Sequence, residues 1–248
     1  MALFGVNLLA TLRQRIGAVI GAFVASSACC LCGALMAFVF APRQALRAVD
    51  FSRLPIMDAA AVESAAAGDT LLITGVLAGN APLPETAALG AYRAEVFRVK
   101  TSPDDVDGPS EPFGSWTSSG STVPELTLDM NGQAVQIHAA ANIQLAGDLH
   151  EEVVPGSGLQ AKYQGDLVAD GTTRYQGLFD GELITVLGSK AASGGVNPQK
   201  LFGGDRAAFE ASERGAASNF LISGICAMAL APVVLILGLL AAIFYRRR

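Results

Sequence analysis

The chain has 248 residues, of which 51% are hydrophobic and 16% charged, with a mean hydropathy of +0.42 and a net charge of −5. Soluble domains carry about 25% charged residues, so this composition argues against an ordinary soluble protein. All 22 acidic residues lie between Asp50 and Glu213; removing the five tail arginines from the 17 Lys and Arg leaves 12 bases in the segment 41–219 between the apolar runs, a net charge of −10 for that segment that argues against nucleic acid as a partner.

Residues 1–15 form a short tail with Arg13 and Arg15 and no acid. Residues 16–40 contain no charge. That exceeds the roughly 20 residues a helix needs to cross hydrocarbon, and far exceeds the 7–15 residues of a signal-peptide core. The best small-residue cleavage position, Val39-Phe40-Ala41, is followed by Pro42, so an uncleaved transmembrane helix is expected. Gly17, Gly21, Ala25, Cys29 and Gly33 recur every four residues and predict a flat packing ridge. Cys29, Cys30 and Cys32 read as small apolar fillers rather than a metal or redox site.

Residues 41–67 read as a short linker followed by a membrane-proximal helix over 56–67, capped by Asp58 and ended by Gly68. Strand signals then dominate residues 68–190. TLLITGVLA at 70–78 is one strand and YRAEVFRVK at 92–100 another, with Tyr92, Ala94 and Val96 on one face and Arg93, Glu95 and Arg98 on the other. Residues 101–122, rich in Pro, Gly, Ser and Asp, read as a long exposed loop holding Trp116, the one tryptophan. Asn131-Gly132 joins strands at 125–130 and 133–138, the strongest short hairpin signal. Ala169-Asp170-Gly171 is read as the turn of a second hairpin between 160–168 and 172–179, and 182–187 as a strand ended by Gly188. Residues 191–219 read as a linker and a second membrane-proximal helix. Residues 220–245 again contain no charge and form a second span, with Ser223, Ala227 and Ala231 on a small-residue ridge and Pro232 as a kink. Residues 246–248 are three arginines.

The fold class expected is therefore membrane α + β: two transmembrane helices flanking a small antiparallel β-rich domain of barrel or sandwich type. Two spans put both termini on one side. Arg246–Arg248 abut the second span, and long loops translocate largely regardless of charge, so cytoplasmic tails and an extracytoplasmic domain are expected, in a cell (inner) membrane.

Three segments resemble the GIDE domain, also called the BAM (beside-a-membrane) domain. The first is Gly68-Asp69 leading into LLITGVL, with Pro82-Leu83-Pro84 and Tyr92-Arg93-Ala94-Glu95-Val96 after it. The second is LTLDMNGQAVQI at 126–137, and the third LFDGELITVLG at 178–188. The resemblance covers most of 68–188 and implies the helix–β-domain–helix layout. Its eukaryotic members are organelle-membrane ubiquitin ligases whose activity resides in a RING finger after the second helix. No Cys/His ligand series follows residue 245 here, so the resemblance is to RING-less, bacterial-type members and ligase activity is not expected.

Candidate chemistry is sparse. The two histidines are His138 and His150; His150 with Asp148, Glu151 and Glu152 is a candidate cation set, as is Asp104-Asp105-x-Asp107, although that run lacks the spaced ligands of a known calcium loop. The simpler reading makes all of them solvated loop residues. Gly156-Ser157-Gly158 is too short for a nucleophile elbow and reads as a turn. Lys190 and Lys200 flank the linker. No catalytic, cofactor-binding or metal residue is assigned, and no enzyme activity is expected. The expected function is an integral membrane protein presenting an acidic β-domain for protein interaction or scaffolding, its partners the bilayer, an unknown membrane or envelope protein, and a second copy through the small-residue helix faces. The alternatives are a sensor of a small ligand or cation through the acidic loops and, third, a hydrolase.

Overall fold

A computed structural model of the protein describes residues 2–100 and 112–244, with the side chains of 2–15, 242 and 244 left aside. It shows two long apolar helical segments at the two ends of the chain, flanking a β-rich domain. The terminal helices form one compact unit and Arg53–Phe209 another.

In the helical unit, α1 (Ala2–Leu35) passes through a π-helical turn (Met36–Phe40) directly into α2 (Ala41–Arg53). The expected linker at 41 is thus helix. Pro42 would normally end a helix, because it has no N–H and its ring presses on the carbonyl four residues back. The widened turn just before it relieves that pressure: the Ala41 N–H donates to the Met36 carbonyl, five residues back. At the other end, α4 (Arg206–Phe244) runs unbroken through Pro232. Ile16–Arg53 and Arg206–Ala241 are each long and apolar enough to cross a membrane.

The two helices pack antiparallel. Gly33 meets Gly224 so closely that a Cβ on either would lie 2.6 Å from the other's carbonyl oxygen. Along the same seam, the Ser26 hydroxyl donates to the Ala231 carbonyl at 2.8 Å, Phe40 rests against Phe220, and Gln44 Nε2 donates to Glu213 at 2.7 Å. The α4 side of the seam is Ala217, Gly224, Ala231 and Gly238, spaced by seven rather than four. Seven residues are almost two helical turns, so this spacing keeps one narrow line facing the partner. The ridge expected from sequence is corrected accordingly. Gly33 and Ala231 lie on the seam, whereas a Cβ added to Gly17 or Gly21 would meet nothing within 4 Å and Ala25 and Ser223 are exposed.

In the β unit, α3 (Ala59–Ser64) is capped as expected, the Asp58 carboxylate accepting the Ala61 N–H at 2.8 Å. Among the described residues thirteen strands follow: β1 (Thr70–Leu77), β2 (Leu89–Lys100), β3 (Phe113–Val123), β4 (Leu126–Met130), β5 (Gln133–Ile137), β6 (Ala140–Ala141), β7 (Gln144–Gly147), β8 (His150–Val154), β9 (Gln160–Tyr163), β10 (Asp166–Ala169), β11 (Thr173–Phe179), β12 (Leu183–Lys190) and β13 (Val196–Gly203). Strands β12-β1-β4-β5-β13 close into a five-stranded barrel through β12–β13 pairing, with β7 attached to β13. The second sheet, β10-β9-β3-β2-β11-β8, stays open. Leu71, Ile73, Leu128, Ile137, Val186 and Leu201 fill the barrel, and Ala91 and Leu178 of the second sheet join the same core. A smaller cluster of Leu89, Tyr92 and Ala94 forms on the other side of β2.

Several sequence expectations need correction. Residues 113–122 are strand, so Trp116 is in β3 and not in a loop; 101–111 lie outside the described residues. The Ala169–Gly171 turn does not join paired strands, because the hairpin is β9–β10, turning at Gln164-Gly165, both with positive φ. Gly188 does not end β12; the strand bulges there and continues to Lys190. A Cβ at Gly188 would collide with the backbone of Asn197. The supposed linker after residue 190 holds β13, whose Val196 and Leu201 are fully buried. Along β2, Phe97 falls on the face of Arg93 and Glu95 and is buried against Trp116 and Tyr163. The Asn131-Gly132 hairpin forms as expected, with left-handed φ at both residues.

Gly224→Leu should force the helices apart at backbone contact and cost about 1–3 kcal/mol, the usual scale of overpacking. Gly17→Leu, which faces open space, should leave stability unchanged. Thermal melts of the full chain in detergent check this, with the melting temperature falling only for Gly224→Leu.

Candidate functional site

The acidic residues expected to gather around His150 are separated by strand alternation. In β8, Glu151 leaves the opposite face from His150 and Glu152. His150 hydrogen-bonds Glu182 and stacks on Phe179, ring centres 4.1 Å apart. Glu152 accepts the Ala87 and Ala88 N–H groups at 2.7 and 3.0 Å, pinning the β1–β2 loop. Asp148 belongs to the β7–β8 turn, its N–H donating to the Gly203 carbonyl. His138 is remote from this group, its Nε2 2.7 Å from the Gly194 carbonyl. Among the described residues no three His, Cys, Asp or Glu side chains gather to hold a metal. Asp104, Asp105 and Asp107 lie outside the described residues. The four cysteines are free thiols on the helices.

What the fold does assemble is a polar ladder across the open sheet. Arg93 donates through Nε and Nη2 to the Gln176 side-chain oxygen at 2.9 and 2.6 Å. Gln176 Nε2 passes a bond on to Glu151 at 2.8 Å. Arg174 pairs with Glu95, approaches Glu151 at 3.8 Å, and lies over the Trp116 ring, 4.6 Å from its centre. The ladder comes from facing positions, since Arg93 stands opposite Gln176, Gln176 opposite Glu151, and Glu95 opposite Arg174. Such a face is wettable and directional, and the aromatic beneath the guanidinium holds it flat. The sequence hides the ladder because the Pro, Gly, Ser and Asp content of 101–122 makes Trp116 read as a loop residue, and the acidic start of 150–154 carries no strand signal.

A second polar device closes the barrel rim. The Asp180 carboxylate accepts the Gly79 and Asn80 N–H groups at 3.2 and 2.9 Å, plus Asn80 Nδ2 at 3.0 Å. Asn80 in turn bonds both backbone groups of Thr127. The ends of β1, β4 and β11 are thereby clasped together. The bond from the Asn80 backbone holds the Asp180 carboxyl below the ordinary aspartate range, opposed by slight burial and reinforced by the Asn80 side chain and Gly79. On the opposite side of the open sheet from the ladder, burial pushes the Tyr92 phenol up, aided by Glu85 and Tyr175 and opposed by the Thr122 hydroxyl, so it stays protonated.

The fold thus defines a helix–β-domain–helix protein with two candidate membrane spans. No family model, curated protein or solved structure matches the chain.

Because the folded-state pKa of Asp180 is lowered, its clasp stabilises the protein fully above the ordinary aspartate pKa of ~4. That contribution is lost as pH falls through the lowered folded-state value. Asp180→Asn should therefore lower the urea midpoint at pH 7 and shrink its difference from wild type near pH 3. Paired urea titrations at the two pH values measure this.

Proposed function

We propose that the protein is a non-catalytic integral membrane protein of the cell (inner) membrane, with cytoplasmic tails, whose acidic β-domain docks another envelope protein through the open sheet. One observation carries the reading. The barrel pairs its own strands into a ring, whereas the second sheet ends in β8 and β10, each paired on one side only among the described residues. Open edges are sites where another chain adds a strand, and natural proteins usually blunt them. Here the edges carry exposed aliphatic side chains instead, Val153 and Val154 on β8 and Leu167 on β10, the last 70% exposed. The polar ladder ends at Glu151 on the same edge strand and supplies directional contacts beside them.

We also propose that the β-domain is of the GIDE/BAM type. In support, the three resembling segments are neighbours in space: β1 pairs with β12 over seven residues and with β4 at Val76 and Leu77. No ligase activity is carried over. The acidic-loop cation sensor finds no support in the described geometry, where Asp148, Glu151 and Glu152 go to different places.

A photo-crosslinking residue at Val153, introduced into the full chain in native membranes, should give a discrete adduct. The same residue at Thr127, on the exposed outside of the barrel, should give none. If Val153, Val154 and Leu167 all fail to crosslink, the docking reading is wrong. A reporter fused to the C-terminus should be active only if it works in the cytoplasm; activity of a reporter that needs an extracytoplasmic setting would overturn the orientation.

A further inference from the structure

Where the first apolar run ends and the second begins, the helical unit leaves a notch of about 290 Å³ between α2 and α4. Its floor is Ala37, Ala41 and Ala217, all buried, and its walls include Pro42, Ala45 and Leu221. The cause is a change of side-chain size. Phe40 and Phe220 hold the helices apart with ring centres 6.1 Å from one another, and the alanines that follow are too small to fill that width. The uncharged runs stop at Phe40 and resume at Phe220, so the notch lies at the edge of the hydrocarbon, at the level of phospholipid glycerol and phosphate groups.

One turn further out, Arg214 stands on the notch side of α4. It precedes Ser218 by four residues and Leu221 by seven, which keeps all three on one helix face. Its Nε donates to the Glu210 carbonyl at 3.2 Å, which lays the guanidinium along the helix and leaves both Nη groups to the outside. Among the described residues Arg214 makes no ion pair, with Glu210, Glu213 or any other acid. Arg43 and Arg47 come two residues after Ala41 and Ala45, more than half a turn around α2, and so face away from the notch. A guanidinium above an apolar cleft is complementary to a phosphate that carries a hydrocarbon chain, and its planar fork matches phosphate oxygens. A headgroup with its own cation, as in phosphatidylcholine, already compensates its phosphate.

We infer that the notch binds one anionic phospholipid, its phosphate on the Arg214 Nη groups and the upper part of one acyl chain against Ala41, Ala45 and Leu221. The inference rests on the membrane reading and is independent of the open sheet edge.

The test uses the full chain in detergent, with dioleoyl phosphatidylglycerol as probe, dioleoyl phosphatidylcholine as its counterpart and glycerol 3-phosphate as the head without chains. Native mass spectrometry reads the retained adducts. Phosphatidylglycerol should be retained about fivefold more strongly than phosphatidylcholine, the scale of one basic residue against an anionic lipid. Glycerol 3-phosphate should not displace it. Arg214→Gln should abolish the preference, and Ala45→Phe, which fills the notch from an exposed position, should remove the retained lipid. Arg47→Gln, the same charge lost on the far side, should change neither. Equal retention of the two lipids, displacement by glycerol 3-phosphate, equal losses in Arg47→Gln and Arg214→Gln, or a retained lipid in Ala45→Phe would each overturn the assignment. If Ala45→Phe does not fold, the comparison of Arg214→Gln with Arg47→Gln decides. Flotation of the wild-type chain with phosphatidylglycerol vesicles separates the two readings: a chain that floats but shows no lipid preference loses the site alone, and a chain that does not float loses both.

Discussion

The pairing of β12 with both β1 and β13 is the constraint on which the β-domain depends. It turns five strands into a ring and leaves no open edge in that part of the fold. The closure needs two backbones to approach at Gly188, where the register shifts and a side chain would strike Asn197. It also needs the β12–β13 turn to be short and sharply bent, which Gly194 and Gly195 allow by taking positive φ. The barrel interior can then be filled by aliphatic side chains from every strand of the ring, and α3 covers one side of it through Ala59 and Val62. The open sheet borrows this rigidity, since Ala91 and Leu178 belong to the barrel core while the rest of β2 and β11 carry the polar ladder.

The helical unit meets a different solvent and uses a different device. In hydrocarbon, lipid tails are as apolar as leucine, so packing comes from close approach and interhelical hydrogen bonds. The Gly33–Gly224 contact supplies the first, and the Ser26–Ala231 bond supplies the second one residue before Pro232. Past the apolar run, the same seam changes chemistry. Glu213 is 5% exposed and is met by Gln44. Small residues, one hydroxyl and one amide–carboxylate contact thus align a single antiparallel register along the seam.

How far these features can be read from sequence follows from how local their causes are. Both apolar runs, the Asp58 cap and the Asn131-Gly132 hairpin were legible because each is written in a few adjacent residues. β13 was not, because Gly194-Gly195, Asn197 and Pro198 give 191–200 the composition of a linker. Its strand state comes from pairing with β12, over 183–190, and burial of Val196, both tertiary effects. The helix through Pro42 was missed for a related reason: a π turn upstream, invisible in propensity, absorbs the missing N–H. The helix seam was misjudged by its period, because four-residue spacing picks out Gly17 and Gly21 whereas seven-residue spacing picks out Ala217, Gly224, Ala231 and Gly238. At the candidate sites, adjacency in sequence misled. Glu151 and Glu152 are consecutive, but in a strand that places them on opposite faces.

The treatment of charge ties these observations together. Arg174, Glu95 and Glu151 lie on one sheet face and compensate one another. Asp180 is satisfied by backbone N–H groups, and Glu152 likewise. Lys200 is buried too, but its ammonium lies 5.4 Å from the Phe209 ring centre, within cation–π range. Lys190 completes the pattern: the residue is 8% exposed, yet among the described residues no buried side-chain nitrogen or oxygen lacks a hydrogen bond, so its stem is covered while its ammonium reaches solvent.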